Sequence, residues 1–106
     1  MLKTNSRYVL FYCDDCEKLQ PAISIFKDLH PSVLVETSSD IQDVLVKIKH
    51  HLPELLLVCL YDAGKDYMHL IKEIRMSAQT SSIPVLIYRE MPDEDALRNA
   101  FKKIEK

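Results

Sequence analysis

Pro53-Glu-Leu55-Leu-Leu-Val-Cys59-Leu-Tyr-Asp62-Ala-Gly64-Lys-Asp-Tyr67 opens the stretch that decides the fold, and Ser81-Ser-Ile83-Pro84-Val-Leu-Ile-Tyr88 closes it. Residues 55–60 form a near-continuous apolar run, the pattern of a parallel strand covered on both faces. The loop that follows carries Gly64, the chain's only glycine. Met68, Leu70, Ile71 and Ile74 then supply one helix face, and residues 85–88 are a second apolar run after Pro84. The stretch is one strand–helix–strand unit.

The same alternation continues on both sides. Towards the N-terminus, residues 8–13 are a short β-rich run closed by Asp14 and Asp15, either of which can cap a helix. Leu19, Ala22, Ile23 and Phe26 fall on one face of that helix, and Pro31 marks its stop. Pro21 costs a hydrogen bond or kinks the helix if it lies beyond the first turn. Residues 32–36 read as a second strand. Ser39 with Gln42 is a capping-box pattern opening a helix whose Ile41, Val44, Leu45 and Ile48 share a face, and His50-His51 end it. Towards the C-terminus, Pro92-Asp93 starts a last helix bearing Ala96, Leu97, Ala100, Phe101 and Ile104. The order βαβαβαβα implies an α/β fold: a doubly wound parallel sheet with helices on both faces and right-handed crossovers.

Composition bounds the function classes. One hundred and six residues make a single domain over 1–106, and 47% apolar with 28% charged residues is ordinary for a globular chain. A formal charge of -2, with Lys and Arg scattered among Asp and Glu, gives no general attraction to nucleic acid. Lys102, Lys103 and Lys106 read as a solvated helix end. No apolar run approaches the roughly 20 residues of a membrane span, and the N-terminus lacks a signal-peptide pattern. A cytoplasmic location, with no membrane partner, is the expectation. Three cysteines are an odd number, which rules out complete intramolecular pairing. The four histidines show no metal-helix spacing.

Order and spacing together resemble the receiver domain of response regulators, from Tyr8 to about Phe101. That resemblance implies a flavodoxin-like sheet of order 2-1-3-4 and a role in two-component signalling. Counting back from Ile74-Arg75 without a gap puts Cys59 at the position of the family's phospho-accepting aspartate. Asp14 and Asp15 match the acidic pair that helps hold a divalent cation. Arg89 falls where a Ser or Thr senses the phosphoryl group. The fifth strand, its Lys and the last helix are missing from the pattern, unless the terminal helix is itself the family's last one after a deletion.

Aspartyl phosphorylation needs a carboxylate beside a cation. A thiol at Cys59 is not a carboxylate and is a poor Mg²⁺ ligand. The resemblance therefore implies a non-enzymatic pseudo-receiver with no cofactor, acting on an unidentified signalling partner. Asp62, three residues on, is the alternative acceptor, set against its reading as a solvated loop carboxylate, and Asp14 with Asp15 are the metal candidates. Arg89 either reaches Asp14 or Asp15 and takes the cation's place, or is an exposed residue of the loop after the fourth strand. With no fifth strand, the 85–88 edge or the last helix would mediate a homodimer.

Cys13-Asp-Asp-Cys16 supports a rival reading. A Cys-x-x-Cys motif at a strand-to-helix junction, with Ile83-Pro84 before a later strand, is similar to thioredoxin, whose cis-proline precedes a nearby strand. This reading makes Cys13 and Cys16 a thiol–disulfide oxidoreductase site. The reading preferred on the residues alone is that Cys13 and Cys59 are small buried hydrophobes and Cys16 an incidental helix residue.

Overall fold

The computed structural model describes residues 7–60, 67–90 and 92–102. Within them the order is β1 (Arg7–Cys13), α1 (Cys16–Leu29), β2 (Val33–Ser38), α2 (Ile41–His50), β3 (Leu55–Cys59), α3 (Tyr67–Met76), β4 (Val85–Tyr88) and α4 (Glu94–Arg98). The strands are all parallel, in the order β2-β1-β3-β4. The architecture expected from the alternating pattern is present.

The pleat of β1 and β3 divides the core between two faces. Val9, Phe11, Cys13, Leu55, Leu57 and Cys59 pack against Leu19, Ala22, Ile23 and Phe26 of α1 and Leu97 of α4. Tyr8, Leu10, Tyr12, Leu56, Val58 and Leu60 pack against Val44 and Ile48 of α2 and Leu70 and Ile74 of α3. β3 is therefore apolar at every position, and β1 at every position after Arg7.

Local signals explain most element ends. The Asp15 carboxylate accepts a hydrogen bond from the Lys18 amide at 3.3 Å and caps α1. Pro21 lies inside α1 on its exposed side, where the missing amide leaves a carbonyl facing water. The cap of α2 is Asp40 rather than Ser39: its carboxylate accepts from the Gln42 amide at 3.0 Å. β2 runs two residues further than expected, to Ser38, because it pairs with β1 up to Tyr12. Met68 is 59% exposed, so the inner face of α3 is Leu70 and Ile74. After α3, Arg75 donates to the carbonyls of Ser81 at 2.6 Å and Ile83 at 2.8 Å, which aims the chain into β4.

The side taken by α4 is informative. Right-handed crossovers running outward from β2 to β3 and from β3 to β4 place α2 and α3 on one face, while the reverse step from β1 to β2 places α1 on the other. A crossover to a strand beyond β4 would lie with α2 and α3. Instead α4 packs beside α1, with His30 Nε2 3.1 Å from the Leu97 carbonyl and the Arg7 guanidinium 3.9 Å above the Phe101 ring. Ile104, expected on this helix, lies outside the described residues.

Candidate functional site

The strand order changes direction between β1 and β3, so the crevice beyond their carboxyl ends is the expected site of an open α/β sheet. Register sets its floor. Cys13 on β1 aligns with Cys59 on β3, and Cys59 aligns with Tyr88 on β4. Cys13 and Cys59 belong to the α1-side core, against which Cys16 and Tyr88 also pack. The three sulfurs and one phenol thus share a face.

Cys13 and Cys16 are joined by a disulfide with Cα atoms 5.4 Å apart, and Cys59 is a free buried thiol. This corrects the reading of Cys16 as incidental; the burial expected of Cys13 and Cys59 holds, at 0% and 1% exposure. Burial pushes the Cys59 thiol up to about 12, with the negative charge of Asp14 as a second cause. Cys59, the last residue of β3, is a protonated thiol at neutral pH.

Asp14 and Asp15 are half-buried in the turn that the disulfide closes. They have different tasks. Asp15 spends a carboxylate oxygen on the α1 cap, whereas the charge of Asp14 acts on the site, raising both Cys59 and, after burial, Tyr12. No group of three or more candidate metal ligands occurs among the described residues. Arg89 ends exposed beyond β4, and among the described residues no salt bridge joins it to Asp14 or Asp15. Asp62 lies outside the described residues.

Tyr88 is a site residue that the sequence did not suggest. Its hydroxyl is buried with no hydrogen-bond partner among the described residues. Burial pushes its pKa up most, followed by the neighbouring Cys59 and Asp93. Only the β3–β4 register places it beside Cys59, and a four-residue apolar run gives no hint of that register.

The thioredoxin-like reading fails on the backbone. Every peptide bond among the described residues is trans, including the one before Pro84, and the sheet order is that of the receiver pattern. No described helix is long and apolar enough to cross a membrane.

No family model and no curated protein matches the sequence. Solved structures do match. The chemotaxis response regulator CheY4 of Vibrio cholerae is 16% identical with a TM-score of 0.75, over 94% of this chain and 99% of that one. A putative response regulator from Chloroflexus aurantiacus is 16% identical with a TM-score of 0.74, covering 94% and 98%. The N-terminal domain of a response regulator receiver protein from Methanoculleus marisnigri is 17% identical with a TM-score of 0.65, covering 88% and 76%. At these identities the likeness is one of fold, and the chain has the fold of a CheY-like response-regulator receiver domain.

Proposed function

We propose that the chain is a pseudo-receiver: a cytoplasmic, non-enzymatic module of two-component-type signalling that acts through protein contacts without aspartyl phosphorylation. The observation that carries this reading is Cys59. It ends β3, where the receiver resemblance counts the acceptor, is 1% exposed, and holds its proton to about pH 12. Such a group neither forms an acyl phosphate nor contributes the hard oxygen that Mg²⁺ prefers. Asp14 and Asp15 remain the residues that a weakly held cation would touch, and Asp15 is already engaged as a cap. The partner is a signalling protein rather than nucleic acid or membrane, since the net charge is only -2 and its charges are mixed.

The test is backbone amide NMR with beryllofluoride and Mg²⁺, which together mimic an aspartyl phosphate. An unchanged spectrum is expected. Localised shifts at Asp14, Asp62 and Tyr88 would reveal a working acceptor and overturn the proposal.

A further inference from the structure

We infer that Cys13 and Cys16 form a reversible dithiol–disulfide modification site, oxidised by small disulfides and reduced by small thiols. It is modified in place and does not turn over substrates. The inference goes beyond the pseudo-receiver reading and stands whether or not a phosphoryl group is ever accepted.

Three observations support it. First, the bond closes a loop with only two residues between the cysteines, so it restrains little unfolded chain and the fold does not depend on it. The core beneath it is continuous without the bond, running from Val9 and Phe11 through Leu57 to Phe26 and Leu97. Second, access is unequal. Cys16 begins α1 and is half-buried, whereas Cys13 and Cys59 are 0% and 1% exposed. First-turn amides favour a negative sulfur at Cys16 and the Asp14 and Asp15 carboxylates oppose it, so exposure selects Cys16 as the entry sulfur. Third, the bond ties the last residue of β1 to the first residue of α1, and so fixes the turn carrying Asp14 and Asp15. Oxidation thereby sets the shape of the acidic turn beside Cys59.

The chemistry balances. The Cys16 thiolate attacks one sulfur of a small disulfide, forming a mixed disulfide and releasing one thiol. The Cys13 thiolate then attacks the Cys16 sulfur, closing the protein disulfide and releasing the second thiol. Two protein thiols are oxidised and one small disulfide is reduced to two thiols. Excess small thiol reverses both steps. Cys59 lies in register beside Cys13, but the sulfur that meets Cys16 is that of Cys13, and Cys59 stays a free buried thiol. In a reducing compartment a bond of this kind is transient, as expected of a responsive site.

The experiment incubates the reduced chain with excess oxidised glutathione, blocks free thiols, denatures, labels again and maps tryptic peptides. Cleavage after Arg7 and Lys18 leaves both cysteines on residues 8–18, and cleavage after Lys49 and Lys65 leaves Cys59 on residues 50–65. The expected result is a peptide 8–18 lighter by two hydrogens, with Cys59 labelled only after denaturation. Dithiothreitol should restore two labels on 8–18 with the circular dichroism of the fold unchanged. Neither single variant of the pair can close the bond, so the entry step is read as the glutathione adduct. Cys13→Ser should take it up on Cys16 about tenfold or more faster than Cys16→Ser takes it up on Cys13, since exposure favours Cys16. Cys59→Ala should leave the rate of disulfide formation unaltered. Two labels on 8–18 after oxidation, a bond mapped to Cys59, or unfolding upon reduction would each overturn the inference. The beryllofluoride experiment reads a separate property, so either proposal can fail alone.

Discussion

A buried thiol makes its protonation a term in stability. The folded Cys59 thiol ionises at about 12 against an ordinary value of 9.0, so between these values the folded chain binds more protons than the unfolded chain. Its contribution to stability is complete below pH 9 and is lost as pH rises through about 12. Urea midpoints should fall across this window with a Cys59 share of at most about 1.4 kcal/mol per pH unit. Tyr12 and Tyr88 are raised in the same direction, so the share is read as the difference in slope between the natural chain and Cys59→Ala. Equal slopes would show that Cys59 is not buried as described. The neighbouring disulfide adds a second term. For a bond with a sequence separation of 3, the chain-entropy relation gives about 2 kcal/mol, so reduction should lower Tm by several degrees without loss of cooperativity. The strand-end position of Cys13 and Cys59 was legible from the apolar runs that they close. The pairing of Cys13 with Cys16 was not, because a Cys-x-x-Cys spacing is compatible with either redox state and the choice depends on where β1 ends and α1 begins.

The elements show where periodicity stops being informative. Apolar spacing identified the inner faces of α1 and α2, because a helix on a sheet must bury one stripe. It misplaced Met68, since four apolar residues within seven positions of α3 allow more than one stripe and packing keeps Leu70 and Ile74. It could not say on which side of the sheet α4 lies, because an amphipathic helix fits either face equally well. The structure puts the five-residue α4 beside α1, and a helix of that length is not stable without tertiary support. Leu97 is fully buried there, with Ala100 and Phe101 following in the same cluster. Leu97→Ala should therefore cost about 3 kcal/mol. Native-state hydrogen exchange should rise first in α4 and in the α1 turn around Phe26 and His30. Met68→Ala, an exposed change, should remain within about 0.5 kcal/mol. Similar costs for both variants would mean that α4 is not docked on α1.

At the scale of the whole molecule, the sheet ends in an unequal pair of edges, and β4 is the informative one. The carbonyls of Pro84 and Tyr88 accept from Leu56 on β3 and from Leu60 just beyond it, at 3.0 Å each, so by alternation Val85 and Ile87 turn their backbone groups outward. Ile87 is 42% exposed, and α4 sits on the α1 face rather than across this edge. The apolar run at 85–88 was legible as a strand; which of its residues line the outer edge required the register. An apolar parallel strand whose outer amides meet no partner among the described residues invites pairing. We propose that two copies meet there, β4 against β4 around a two-fold axis, which would satisfy Val85 and Ile87 of both chains without a fifth strand. Sedimentation equilibrium should then show a monomer–dimer equilibrium, and the amides of Val85 and Ile87 should exchange more slowly as protein concentration rises. Ile87→Lys places a charge on the outer edge and should shift the chain to monomer while leaving its stability within about 0.5 kcal/mol, because the side chain is partly solvated already. A chain that stays monomeric at every concentration, with β4 amides exchanging at a concentration-independent rate, would leave the edge open to a different protein and remove the dimer.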